Sequence, residues 1–139
     1  MKIYFAGSIR AGRDDVPIYE QIIGYLKKYG EVLTEHVGDY SLSIAGQNQL
    51  DDKFIHDRDL EWLKSSHIVV AEVTNPSLGV GYELASAVQW NIPVIAFYRR
   101  NNNLQLSAMI LGADGINVYE YEKLDELFLV LEERFKGGV

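Results

Sequence analysis

An α/β fold is predicted for this chain, with five parallel strands in one sheet and helices covering both faces. Three observations carry the prediction. Short β-rich runs alternate with stretches of helical periodicity from one end of the sequence to the other. One run, HIVVAEV (His67–Val73), is apolar without alternation, as strands buried on both faces are. The chain is 139 residues long, which suits a single domain over residues 1–139 with a core that needs no staples.

The elements follow in order. Lys2–Ala6 (KIYFA) is β-rich and stops at Gly7, giving a first strand. In PIYEQIIGYLKKYG, Pro17 suits a first helical turn, and Ile18, Ile22, Tyr25, Leu26 and Tyr29 recur at helical spacing. Gly30 stands where a C-terminal cap is expected. EVLTEH reads as a second strand, Val37–Gly46 as a polar loop, and a helical region interrupted near Gln49–Asp51 runs to about Ser65. After the third strand, His67–Val73, a Gly-rich loop leads to a helix over Gly81–Trp90. PVIAFY is a fourth strand, LQLSAMIL a short helix, INVYEY a fifth strand and KLDELFLVLEERF a closing amphipathic helix. Right-handed crossovers leave few topologies, and the flavodoxin-like (Rossmann-like) order 2-1-3-4-5 is expected. In that order a ligand crevice opens at the carboxyl ends of strands one and three. The loops Gly7–Arg13 and Thr74–Glu83 both leave the sheet there.

Composition narrows the function. There are no cysteines, so disulfides, thiolate nucleophiles and Cys-based zinc sites are excluded. Thirteen Lys and Arg against 20 Asp and Glu give a formal net charge of −7, a poor basis for gripping a nucleic-acid polymer. No run of about 18 apolar residues suggests a membrane span, and MKIYFAGSIR is too short in apolar residues for a signal peptide. A cytoplasmic protein acting on a small molecule is expected. An anionic ligand would need local donors to overcome the net field.

Several residues could supply chemistry, each with a plainer alternative. Glycines in GSIRAGR (Gly7–Arg13) let backbone amides approach an anion, and Arg10 or Arg13 could add charge-assisted contacts. The stretch matches neither a dinucleotide fingerprint nor a P-loop, and a surface turn with solvated arginines is the alternative. Glu83, placed in a first helical turn beside Gly79, Gly81 and Ser77, is either a dipole-stabilised helix residue or a carboxylate nucleophile. Ile55, Asp59, Trp62 and Leu63 fall at i, i+4, i+7 and i+8, which sets Asp59 on an otherwise apolar face. Such a carboxyl group should be hydrogen-bonded or have a raised pKa, and can serve as a general acid or bind a base edge; the alternative is a surface pair with Arg58 or Lys53. Asp57 falls on another, solvated face. His36 follows the second strand at the same edge, where a structural role is the alternative. His56 and His67 complete no metal-ligand pattern, and neither metal nor organic cofactor is expected. Tyr98, Arg99 and Arg100 read as strand-end charge.

These stretches also carry a resemblance. YFAGSIRAGR, VLTEHV, FIHDRDLEWL, VVAEVTNPSLGVGYELASAV and LSAMI resemble, in order from Tyr4 to about Gly115, the 2′-deoxynucleoside 5′-phosphate N-hydrolases of the nucleoside 2-deoxyribosyltransferase-like superfamily. The resemblance implies a flavodoxin-like homodimer that cleaves the N-glycosidic bond of deoxynucleoside monophosphates, releasing free base and 2-deoxyribose 5-phosphate. It puts the nucleophile on Glu83, the acid/base aspartate on Asp59 and the first-strand tyrosine on Tyr4. It puts phosphate and sugar contacts on Gly7, Ser8, Ile9, Arg10, Gly12, Ser77 and Gly79, and the second-strand histidine on His36. Ser107 matches a serine supplied by the neighbouring subunit, and Leu104, Leu106, Met109 and Ile110 around it give surplus apolar surface of the kind that marks an interface. Ala11 stands where the family usually has glycine.

Two other readings stay open at this stage. A nucleoside 2-deoxyribosyltransferase would use the same covalent intermediate and pass the sugar to a second base. A noncatalytic nucleotide-binding module would bind without turnover and have no use for Asp59 and Glu83.

Overall fold

A computed structural model describes residues 1–9, 15–34, 51–100 and 105–137. Five strands, β1 (Lys2–Gly7), β2 (Glu31–Leu33), β3 (Ile68–Glu72), β4 (Val94–Arg99) and β5 (Ile116–Tyr121), form one sheet in the order β2-β1-β3-β4-β5. Every pairing is parallel, with Tyr4 opposite Val69, Gly7 opposite Glu72 and Val70 opposite Ile95. The expected order is the observed one. The described helices are α1 (Val16–Leu26), α2 (Asp52–Ser65), α3 (Leu78–Gln89), α4 (Ala108–Leu111) and α5 (Leu124–Lys136).

Strand residues alternate between two cores. Ile3, Phe5, Ile68, Val70, Ile95 and Phe97 face α1 and α5, where Tyr19, Ile22, Leu26, Leu127 and Leu131 cover them. Tyr4, Ala6, Val69, Ala71, Val94 and Ala96 face α2 and α3, against Leu63, Val80, Leu84 and Ala87. Ala6, Ala71 and Ala96 are the small residues of this second face. All five residues of β3 are buried, as its unbroken apolar run predicts. Each large aliphatic or aromatic side chain so removed from water contributes about 1.5–3 kcal/mol.

Three boundaries differ from expectation. Helix α3 begins at Leu78 rather than Gly81, because the Ser77 hydroxyl caps it by accepting from the Val80 N–H at 3.2 Å. Helix α1 ends at Leu26, and Gly30 does not cap it. A Cβ at Gly30 would lie 2.3 Å from the Met1 carbonyl oxygen, so glycine is needed there to let the chain enter β2 beside the N-terminus. Strand β2 is only three residues within the described part of EVLTEH. The interruption expected near Gln49–Asp51 fits a helix start: Asp51 caps α2, its carboxylate accepting from the Phe54 N–H at 2.7 Å.

Candidate functional site

At the carboxyl ends of β1 and β3, where the strand order reverses, a cleft of about 790 Å³ opens on the α2/α3 side of the sheet. Such a volume accommodates a nucleotide-sized ligand. Its floor is Tyr4 to Ile9 of β1 and the turn after it; one wall is α2 and the other is Pro76–Val80, Tyr82 and Glu83.

Tyr4 is almost fully buried, and its hydroxyl donates to Oε2 of Glu83, 79 residues away. Glu83 itself is half-buried and lines the cleft. The expected dipole argument for Glu83 fails. Since α3 starts at Leu78, Glu83 lies in the second turn, beyond the reach of the N-terminal dipole. The residue that holds this carboxylate is Tyr4, from another element.

Asp59 lines the same cleft and is 7% exposed, as its place on the inner side of α2 predicts. Its surroundings are less apolar than expected. The Arg58 guanidinium lies at 3.1 Å from Oδ1, through both Nε and a terminal nitrogen, and rests 4.7 Å from the centre of the Trp62 ring. Lys53 turns away, pairing with the exposed Asp57 at 2.7 Å. On α2 the cleft-lining residues are Asp52, Ile55, His56, Asp59 and Leu60, a helical face at i, i+3, i+4, i+7 and i+8.

Gly7, Ser8, Ile9, Ser77 and Gly79 all line the cleft. Gly7 has little room: a Cβ there would press at 3.1 Å on the rings of Phe5 and Tyr19. Arg10, Ala11, Gly12, Arg13 and His36 lie outside the described residues. Ser107 does not line the cleft of its own chain; it caps α4, accepting from the Met109 N–H at 3.2 Å.

His56 and Tyr82 belong to the site although the sequence did not single them out as such. They cross the cleft mouth from α2 to α3, His56 Nε2 lying 3.0 Å from the Tyr82 hydroxyl with the rings edge to face. The i+3 relation of His56 to Asp59 was the available signal. Arg99 was also misread: it is no solvated strand end but pairs with Asp15 at 2.5 Å.

A carboxylate held by a buried phenol, a second carboxyl group across the cleft, and hydroxyl and amide donors at one end can together hold and attack a sugar phosphate. The comparisons with known proteins agree. The nucleoside 2-deoxyribosyltransferase family model matches residues 3–128. The chain belongs to that family. A 5-hydroxymethyl-dUMP N-hydrolase from Esox lucius is 52% identical, covering 99% of this chain and 97% of its own, and one from Homo sapiens is 46% identical over 97% and 79%. Among solved structures, the Clostridium botulinum CMP N-glycosidase superposes with a TM-score of 0.70 at 15% identity, covering 97% of this chain and all of that one. The 2-deoxyribosyltransferase of Bacillus psychrosaccharolyticus gives 0.64 at 19%, over 92% and 90%. At those identities the structures attest the fold.

Proposed function

We propose that this protein hydrolyses the N-glycosidic bond of 2′-deoxynucleoside 5′-monophosphates, with 5-hydroxymethyl-dUMP among its substrates. The observation that carries this is the Tyr4–Glu83 contact inside a cleft that Asp59 also lines. The names of relatives near 50% identity over nearly the whole chain support the substrate class.

In this reading the phosphate sits among Gly7, Ser8, Ile9, Ser77 and Gly79, and the resemblance adds Arg10, Gly12 and His36 to the substrate-binding residues. Tyr4 keeps one oxygen of Glu83 engaged and aims the other at C1′. Attack forms a glycosyl–Glu83 ester as the C1′–N bond breaks, and Asp59 delivers a proton to the departing base. Water then adds at C1′ as Asp59 takes its proton, giving 2-deoxyribose 5-phosphate, restoring the Glu83 carboxylate and returning Asp59 to its acid form. Two carboxyl groups dividing nucleophile and acid follow the logic of retaining glycosidases. Without a 2′-hydroxyl the sugar ionises more easily, and a site packed against that carbon would exclude ribonucleotides.

The deciding assay offers a panel of deoxynucleoside monophosphates, including 5-hydroxymethyl-dUMP, and measures free base. Release from monophosphates but not nucleosides is expected. Sugar transfer from a nucleoside to an added base would instead establish a transferase, and binding without base release a noncatalytic module.

The active form in this reading is a cytosolic homodimer whose Ser107 reaches the partner's phosphate. Support comes from exposed apolar side chains at both places the contact needs: Leu78 and Tyr82 at the cleft, Met109 and Leu111 beside Ser107. Mixing inactive Glu83→Gln with inactive Ser107→Trp should restore activity, since one site of a heterodimer then carries both lesions and the other neither. A fully active monomer rules the shared site out.

A further inference from the structure

On the other side of the sheet from Glu83, a buried polar cluster joins the start of α1 to the loop between β3 and α3. Glu72 ends β3 at 1% exposure. Its carboxylate accepts from the Thr74 N–H at 2.7 Å, from the Thr74 hydroxyl at 3.0 Å and from the Tyr121 hydroxyl of β5. The Thr74 hydroxyl oxygen in turn accepts from the Arg99 N–H at 2.9 Å. The Arg99 guanidinium lies between two carboxylates, 3.8 Å from Glu72 Oε2 and 2.5 Å from Asp15 Oδ1. Asp15, 7% exposed, accepts on its other oxygen from the Asn75 side-chain amide.

The places of these residues give the cluster its meaning. Asp15 stands at the N-terminus of α1, and its side chain makes no capping bond to that helix. Asn75 precedes Ser77 by two residues. The Asp15–Asn75 bond therefore ties the start of α1 to the loop that carries Ser77, and Arg99 fixes that tie to the sheet. Helix capping alone would be served by an Asp15 turned toward its own helix. A strand-end arginine with no task beyond solubility would not be paired on two sides.

We propose that Asp15, Asn75 and Arg99 are positioning residues that hold the loop carrying Ser77 and Gly79 against the start of α1, and so set the phosphate end of the cleft. This rests on the phosphate placement given under the proposed function. Loss of the tie leaves Glu83, Tyr4 and Asp59 in place and loosens only the anion end of the cleft. Its effect falls on affinity for phosphorylated ligands rather than on the bond-breaking step.

The test uses Asn75→Ala, whose side chain is only half-buried, together with Arg99→Met and Arg99→Lys. Kinetics on a deoxynucleoside monophosphate are combined with calorimetric binding of 2-deoxyribose 5-phosphate. Asn75→Ala and Arg99→Met should raise KM at least tenfold and weaken binding of the sugar phosphate in parallel, with kcat within about threefold. Arg99→Lys should lie between them and the wild type. KM and sugar-phosphate affinity within twofold of wild type in folded Asn75→Ala would overturn the proposal, as would a fall in kcat at unchanged KM. Calorimetry separates the two readings: a wild type that binds the sugar phosphate but releases no base refutes the hydrolase while leaving the tie testable. Were Arg99→Met not to fold, Asn75→Ala decides alone.

Discussion

Two tyrosine–glutamate pairs sit at the carboxyl edge of one sheet, on opposite faces. Tyr4 donates to Glu83 on the α2/α3 side, and Tyr121 donates to Glu72 on the α1/α5 side. The contact is the same in kind; the surroundings are not. Glu83 lines an open cleft, whereas Glu72 is 1% exposed and has its carboxylate occupied by Thr74, Tyr121 and Arg99. Burial pushes the Glu72 carboxyl above the usual carboxylate range, and the donors and Arg99 pull against that shift. A tyrosine bond thus identifies a held carboxylate, and access to a ligand distinguishes a reactive one from a structural one.

The sharpest break of this comparison is Glu83→Gln. It should lower turnover by more than about 10³-fold, the scale on which removal of a nucleophile acts, while the melting temperature moves by a degree or two. Base-release assays beside calorimetry read both, and near wild-type turnover would sink the covalent step. Asp59→Asn comes next, with a loss of about 10²–10⁴ in kcat that shrinks for bases that leave easily. The matching change on the closed face, Glu72→Gln, should reverse the pattern. It replaces an oxygen that accepts hydrogen bonds from Thr74 or Tyr121 by an NH2 group that cannot, costing about 1–3 kcal/mol at pH 5 with kcat within threefold. Denaturant unfolding measures that cost.

The smallest expected effect is its pH dependence. With the folded-state pKa of Glu72 raised, the native state binds the extra proton, so this residue's contribution to stability is full below the ordinary glutamate pKa of about 4.3. It is lost as pH rises through the raised value. The stability gap between wild type and Glu72→Gln should therefore narrow from pH 5 toward pH 8. A gap that widens would mean that the partners of Glu72 outweigh its burial.

The open face was far more legible in the sequence than the closed one. The elements followed from alternating apolar runs, the sheet order from the few topologies that right-handed crossovers leave, and the cleft from which loops leave β1 and β3. Asp59 was found because helical periodicity is local, and Glu83 because its loop is unusual. Local pattern paired neither Tyr4 with Glu83 nor Arg99 with Asp15: Tyr4 entered only through the resemblance, and Arg58 only as the plainer alternative for Asp59. Tyr4 lies 79 residues from Glu83, and Arg99 lies 84 from Asp15. Periodicity carries no information at that range. Arg99 looked like surface charge because it ends a strand, where sequence gives no sign that a buried carboxylate waits on the next one. The misplaced start of α3 came from reading Ser77 only as a ligand contact, although a serine three residues before a backbone N–H is equally a cap.

That double use of Ser77 has a consequence for anyone improving the protein. Its oxygen already accepts from the Val80 N–H, leaving only the hydroxyl proton to offer an anion. Aspartate caps helices at least as well and adds favourable charge at a helix start. Ser77→Asp should accordingly match or exceed the wild type in thermal denaturation while repelling any phosphate brought into the cleft. A directed-evolution campaign that ranks clones by heat survival would enrich the one residue here that starves the catalyst of its substrate. At this position the library has to be ranked by turnover.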